Sequence, residues 1–548
     1  RFGGDIRKLT LDKFQATSSN PRGLFTFTTG PTGVTAVSTQ TSATFRPAPL
    51  TTNANAVAGF LLGMPQSVRR TTVAQLGGYI TPQYFFFAQD RWQVNPKLTL
   101  NYGVRYELYP YPSGTNPGDQ SYYDPETNTV LISGYGPNDD RINIKTERGN
   151  IAPRLGVAYR FDDKTVIRAG YGISFVPITL NTLANQNFGS QIDLQIAGSG
   201  AAFAVPGITL TTGIPAAPII DLTSGVVTPP NTAVVGVVNP NQRRGYIQSY
   251  NFTVERDLWG FVTSAGYVGS RGTRLPGTLN LNAAGPGSTA AQRPFAILYG
   301  RTADVLLSDF MLSNSYHSLQ VRSDRRFNKS GRLTIAYTLS RSVDYTAAFA
   351  LDNDIDINAN RGPSNFDRTH NLVVSHVIKL PFGDGGKLFD KNGLRWRGLL
   401  GGFTLSGIFV ARSGSPVNIT GTLGNTNTTT QGSANRPNQT GPAAVLGGLG
   451  PGELYFDTSV FVNPDPFTFG NAGRNGVRGP HYINYNATLA RTFSFGERYR
   501  LQAQMAVFNV TNSPHYNTPS GSFTSAPFGQ SPSTFGERQI RFGLRFLF

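Results

Sequence analysis

Any chemistry in this chain would have to come from a short inventory of side chains. Its five histidines, His317, His370, His376, His481 and His515, form no HExxH or HxH spacing, and zero cysteines leave no thiolate to act as ligand or nucleophile. His370 and His376 share one side of any strand that holds both, but lie about 20 Å apart along it, too far to share a metal ion. No Gly-x-Ser-x-Gly elbow occurs, and Gly383-Asp-Gly-Gly-Lys387 lacks the first glycine and the Ser/Thr of a phosphate-binding loop. Asp352-Asn-Asp-Ile-Asp356 offers alternating carboxylates that suit a hard cation, with Asp367 as an outlying partner. It lacks the glycine and distal glutamate of an EF-hand loop, so it reads as a solvated surface loop. The expectation is no catalytic constellation, no metal, no cofactor and no enzyme.

Charge is the second source of function. Lys and Arg total 48 against 31 acidic residues, for a formal charge of +17. The basic residues are dispersed over alternating segments with no recognised nucleic-acid motif, so nucleic acid is not an expected partner. Many arginines fall on one set of alternate positions: Arg105, Arg154, Arg160, Arg168, Arg322, Arg326, Arg500, Arg541 and Arg545, with Glu107 among them. Two readings follow. They make an electropositive passage for anionic solutes, or they pair with Glu107, Glu255, Asp324 and their neighbours as structural ladders. The second is favoured, because acids recur on the same faces.

The elements that must carry these residues are strands. In the terminal segment from Arg538 to Phe548, Ile540, Phe542, Leu544, Phe546 and Phe548 alternate with Gln539, Arg541, Gly543 and Arg545. Such a strand turns grease to one side and arginine to the other. The same pattern recurs in 98–108, 153–161 and 167–173, and paired runs follow at 250–254 with 261–268, 319–321 with 333–339, and 485–489 with 499–507. Short turns such as Asn95-Pro96 and Asp162-Asp163 join the partners. Between the hairpins lie long connections rich in Gly, Pro, Asn, Thr and Ser, roughly 109–150, 176–245, 270–313, 342–366, 413–481 and 511–536.

Strict alternation of short and long connections separates the fold classes. Structureless loops beyond about 12–15 residues are uncommon inside compact soluble domains, whereas an outer-membrane barrel has short turns at one rim and long loops at the other. No run approaches the ~18 apolar residues of a membrane helix; the most apolar, Ala56 to Met64, is about half that. Phe85, Trp92, Tyr109, Tyr111, Trp259 and Trp396 fall near strand ends, where interfacial girdles sit. The fold expected is all-β, an antiparallel transmembrane β-barrel with about sixteen strands visible and long extracellular loops.

Five segments carry a family resemblance: Ala56-Val-Ala-Gly-Phe-Leu-Leu-Gly-Met-Pro65, Tyr84-Phe-Phe-Phe-Ala-Gln-Asp-Arg-Trp-Gln-Val94, Ile151-Ala-Pro-Arg-Leu-Gly-Val-Ala-Tyr159, Arg361-Gly-Pro-Ser-Asn-Phe-Asp-Arg-Thr-His370 and the terminal Arg541-Phe-Gly-Leu-Arg-Phe-Leu-Phe548. In order and spacing they resemble the barrel of TonB-dependent outer-membrane receptors, especially the Oar-like group abundant in Acidobacteria. The resemblance spans nearly all of residues 1–548 and implies a barrel of about twenty-two strands. It also implies an N-terminal plug with a TonB box and a small carboxypeptidase-regulatory-like domain, all expected upstream of Arg1.

By the same resemblance the chain resides in the outer membrane of a Gram-negative bacterium. Its expected partners are outer-membrane lipid and lipopolysaccharide, the barrel-assembly machinery, the TonB complex acting through the plug, and an extracellular ligand. Phe542, Leu544, Phe546 and Phe548 resemble the terminal signal read during assembly. The implied function is plug-gated uptake of a bulky, scarce ligand. The alternatives are an Oar-like surface protein for adhesion or protein export, a passive porin, or a soluble β-rich glycan-binding protein.

Overall fold

The computed structural model describes residues 1–13, 23–27, 53–65, 67–73, 77–177, 191–197, 209–214, 221–231, 233–286, 288, 290–327, 331–346, 351–381, 401–421, 436–465, 467–496 and 498–548. Fourteen long strands form one antiparallel meander in chain order: β1 (Phe2–Lys13), β2 (Gly77–Asn95), β3 (Leu98–Leu108), β4 (Ile151–Arg160), β5 (Thr165–Phe175), β6 (Tyr246–Leu258) and β7 (Phe261–Asn280), then β8 (Val305–Arg326), β9 (Gly331–Asp344), β10 (His370–Lys379), β11 (Phe403–Arg412), β12 (Tyr482–Phe495), β13 (Tyr499–Phe508) and β14 (Gln539–Leu547). Each pairs with the strands before and after it. Among the described residues β1 pairs only with β2, and β14 only with β13.

The short turns follow from local chemistry. Asn95 Oδ1 accepts the backbone N–H groups of Lys97 and Leu98 at 2.8 and 2.9 Å, closing β2 onto β3. Asp162 Oδ1 takes the Lys164 N–H at 2.8 Å between β4 and β5. Between β6 and β7, Asp257 accepts from the Gly260 N–H at 3.0 Å while Trp259 and Gly260 take φ of 54° and 79°. A left-handed pair of this kind matches the twist of the strands it joins.

Register sorts the side chains into two faces. Phe542 stands opposite Met505, and Leu489, Leu405 and Ile378 continue that row strand by strand, while Arg541 and Arg545 lie on the reverse. The apolar face is exposed: Phe2 is 89% accessible, Phe542 80% and Leu544 77%. Protein packing does not cover it, so an apolar solvent must.

Packed hydrophobic clusters lie instead in the long connections. One gathers Tyr123, Val130, Ile132, Val227, Val235, Val237 and Phe295 from three connections, with Val305 at the start of β8. Another gathers Val417, Ile419, Tyr455, Phe456, Phe461, Ala472 and Val477, with Phe523 and Phe528 against it. The loops on that rim are therefore folded caps.

Three expectations change. Among the described residues the meander has fourteen long strands where alternation suggested about sixteen. β10 ends at Lys379 and β11 begins at Phe403 on the rim of the short turns, so short and long connections do not alternate strictly. β7 runs to Asn280 and β8 starts at Val305, which shortens the expected 270–313 loop; register shifts between Gly272, Leu275 and Pro276 let the pair extend.

Candidate functional site

The ten residues expected to line a passage share one face. Arg105 lies opposite Ala152, Arg154 opposite Gly103 and Gly172, Arg168 opposite Ala158 and Thr253, and Arg160 opposite Val166. Arg322 stands opposite Ser264 and Ala336, and Arg326 opposite Arg332; Arg500, Arg541 and Arg545 pair with Leu547, Ala506 and Gln502. Glu107 is two residues from Arg105 on the same strand face and is 6% accessible.

Their partners differ. Arg105 Nε is 2.8 Å from Glu107 Oε1, Tyr109 donates its hydroxyl to Glu107 Oε2 at 2.7 Å, and the Arg105 guanidinium lies 4.6 Å from the Phe85 ring centre. Arg168 reaches Glu255 at 3.2 Å, while Arg322 and Arg332 converge on Asp324. Arg154, Arg160, Arg326, Arg500, Arg541 and Arg545 have no carboxylate partner among the described residues. Ladder pairing thus accounts for three of the nine arginines. An open concavity of about 630 Å³ occupies part of the polar face, lined by Arg322, Arg332, Thr334, Ser375, Asn486 and Thr488 among others.

Above the sheet, buried arginines fasten the loop caps. Arg301, 0% accessible, donates to the carbonyls of Ala233 at 2.7 Å and Pro229 at 3.2 Å and to Asn128 Oδ1 at 3.2 Å, with its guanidinium 5.0 Å from the Tyr123 ring centre. Arg244 is held by the Tyr109 carbonyl at 3.2 Å and by the rings of Tyr109 and Phe310, and burial pulls its guanidinium down to about 10. In the second cap Arg474 pairs with Asp344, Arg436 with Asp352 at 3.1 Å, and Arg478 with Asp367. Sequence reading missed these arginines because nothing in their neighbours distinguishes a buried arginine from a solvated one.

The acidic run is dispersed. Asp352 faces Arg436, Asp354 accepts the Asn280 N–H at 3.1 Å, and Asp356 caps a 3₁₀ turn by accepting the Asn358 N–H at 3.0 Å. Asp367 belongs to Arg478 and the Ser342 N–H. Among the described residues no group of three or more His, Cys, Asp or Glu is placed to hold a metal. Burial first, and the nearby Asp304 as well, push the Asp354 carboxyl up to about 6. A raised folded-state pKa means the contribution of Asp354 to cap stability is full below pH ~4 and is lost as pH rises through about 6. Asp354→Asn is expected to abolish that dependence and to slow hydrogen exchange of the 351–361 segment at pH 7.5; protection corrected for intrinsic exchange that varies with pH identically in both proteins between pH 4 and 7 would refute it.

The histidines are separated as well. On β10, His370 and His376 both lie on the apolar face, bonded to different tyrosines, Tyr337 at 2.8 Å and Tyr485 at 2.9 Å. The His376–Tyr485 pair roofs Gly407, where a Cβ would come within 2.8 Å of both rings. His515 is buried between Tyr482 and Phe535, and its Nε2 is 2.9 Å from the Ile483 carbonyl; His481 is exposed. Of the aromatics expected at strand ends, Trp92 and Trp259 are 53% and 88% accessible, as a girdle requires. Phe85, Tyr109 and Tyr111 instead are buried: Phe85 stacks edge-on to Tyr109, and Tyr111 joins Tyr79, Ile144 and Val238. Trp396 and the 383–387 turn lie outside the described residues.

Comparison with known proteins adds a family. The family described as outer membrane beta barrel domain matches residues 1–541. No curated protein matches the chain. Similar solved structures include the ferripyoverdine receptor of the outer membrane of Pseudomonas aeruginosa, at 11% identity and a TM-score of 0.41, over 87% of this chain and 40% of that one. The outer membrane transporter YddB from Escherichia coli is similar at 10% identity and a TM-score of 0.42, over 86% of this chain and 54% of that one. The siderophore receptor PiuA from Acinetobacter baumannii is similar at 9% identity and a TM-score of 0.38, over 88% and 43%. The chain spans about half or less of the length of these structures, between 40% and 54%.

Proposed function

Because the chain belongs to the outer membrane beta barrel domain family, we propose that it supplies the barrel of a TonB-dependent transporter that captures a bulky, scarce ligand on its long loops. The protein resides in the outer membrane of a Gram-negative bacterium. The observation that carries the proposal is the pair of folded caps on one rim, each with its own hydrophobic cluster and buried arginines. Caps of this kind present a preformed surface, so binding pays less ordering entropy than it would on slack loops. The polar strand face becomes the lumen, and its six uncompensated arginines make that route favourable for anionic groups.

In this reading a plug precedes the barrel and is drawn aside through TonB, no catalysis is involved, and the terminal aromatic strand addresses the barrel-assembly machinery. Intact mass and N-terminal sequencing of the native protein from outer-membrane fractions tests it. A longer polypeptide bearing a plug is the expected result; a native start at Arg1 would overturn it. Orientation is tested separately with introduced cysteines, since residues 1–548 contain none. Thr524→Cys in the second cap is expected to react with a membrane-impermeant maleimide on intact cells, and Lys164→Cys at a short turn only after lysis. The reverse pattern would put the caps inside.

A further inference from the structure

A basic patch of two arginines and two histidines sits on the wrong face of the sheet for a lumen. Arg271 on β7, His317 on β8, Arg341 on β9 and His370 on β10 all lie on the apolar, membrane-facing side, and all four are exposed. His317 stands directly opposite Arg341; Arg271 is opposite Ser315, two residues from His317, and His370 is opposite Leu339, two residues from Arg341. Four neighbouring strands thus contribute one contiguous group.

Among the described residues nothing neutralises it. Neither arginine has a carboxylate partner among the described residues, and the apolar face of β7 to β10 carries no Asp or Glu. The imidazoles are oriented: Tyr267 Oη lies 2.6 Å from His317 Nδ1 and Tyr337 Oη 2.8 Å from His370 Nδ1, with each tyrosine ring stacked on its histidine. That engagement leaves Nε2 of each ring for an outside partner.

Height on the sheet says what that partner is. Arg271, His317 and Arg341 are each about ten residues from the nearest short turn, which at ~3.3 Å per residue and a tilt of ~45° is a rise of about 23 Å, the height of the apolar band of an outer-membrane barrel, ~25 Å. The patch therefore meets the headgroup layer on the cap side. At the same height β2 to β5 present Phe86, Leu108, Ile151 and Phe175, so the charge is confined to one sector. Arginine's planar fork matches phosphate oxygens, and an unpaired pair of them on a lipid-facing surface is stable only against an anion.

We infer that Arg271, His317, Arg341 and His370 form a site for the phosphorylated headgroup of an outer-leaflet lipid. The inference rests on the outward orientation of the caps, which surface labelling of Thr524→Cys reports independently of lipid. The test uses full-length protein extracted from outer membranes in detergent and delipidated, then titrated with diphosphoryl lipid A, with the same lipid stripped of phosphate, and with inorganic phosphate, bound lipid being counted by native mass spectrometry. Diphosphoryl lipid A is expected to bind the parent at least about tenfold tighter than it binds R271Q/R341Q, and to bind R271K/R341K with intermediate strength. The phosphate-free lipid should bind both proteins equally and weakly. Equal retention of diphosphoryl lipid A by parent and R271Q/R341Q, with normal cap labelling, would overturn the site and leave the transport reading intact. Displacement of the lipid by millimolar inorganic phosphate would overturn it too, by making the patch a solute site. Heat-modifiable mobility checks that each variant is folded; should the double variant misfold, the comparison of the two lipids on the parent decides.

Discussion

Protein carrying Phe548→Asp is expected to be nearly absent from the outer membrane, its heat-modifiable folded form falling by at least about tenfold, a ratio worth ~1.4 kcal/mol in any equilibrium. Phe548 is 85% accessible and stacks on Phe546, whose ring stacks in turn on Tyr499 of β13 at 5.9 Å and 11°. Losing an already exposed side chain removes few protein contacts. The burial it forfeits in lipid is at most about 1.5–3 kcal/mol, and a carboxylate near the interface adds ~1 kcal/mol or less. A penalty of that size weakens a folded barrel without abolishing it. The two effects separate in the test tube: refolded into vesicles, the variant should lose only a few kcal/mol in urea unfolding, while in cells it fails to assemble. Phe548→Tyr should assemble normally, because it keeps the terminal ring. Wild-type levels of folded Phe548→Asp in outer membranes would refute the role assigned to Phe542, Leu544, Phe546 and Phe548.

Strand periodicity was legible because each face meets a different solvent. Where that contrast is strong, as from Leu98 to Leu108 or Gln539 to Leu547, alternation locates the strand, and the connections 109–150, 176–245 and 413–481 begin and end where the structure places them. Where it weakens, the strand disappears from view. β1 carries Phe2 and Ile6 on its apolar face but then Lys8 and Thr10, so it does not read as a membrane strand until its register with β2 is seen. The loop caps were illegible for a different reason. Their apolar residues are spread over three connections with no period, among Gly, Pro and Asn, and only tertiary contact gathers Tyr123, Val237 and Phe295. Phe85 and Tyr111, aromatic and near strand ends, looked interfacial; cap packing and the cation of Arg105 claimed them instead.

The same asymmetry between strands and caps sets the second large effect. Arg301→Ala is expected to unlock the first cap while leaving the strands intact. Its guanidinium serves Ala233, Pro229 and Asn128, which belong to two different connections, and its own backbone to a third. Burial disfavours the cation and lowers its pKa, yet the charge stays because three acceptors and the Tyr123 ring surround it. Truncation removes the donor and leaves buried acceptors unsatisfied at ~1–3 kcal/mol each, so a loss of about 3 kcal/mol or more in local cap stability follows. Arg301→Lys should recover little, since one ammonium cannot reach three acceptors in a fork. Hydrogen exchange reads this directly: amides of Tyr123, Val130, Ile132 and Val235 should lose protection by about a hundredfold, while Val254, Val321 and Leu501 in the strands keep theirs. Were the strands to lose protection together with the cap, the loops would be part of one cooperative unit with the barrel. Were neither to change, Arg301 would not be the fastener of a preformed capture surface, and ligand binding would have to order the loops itself.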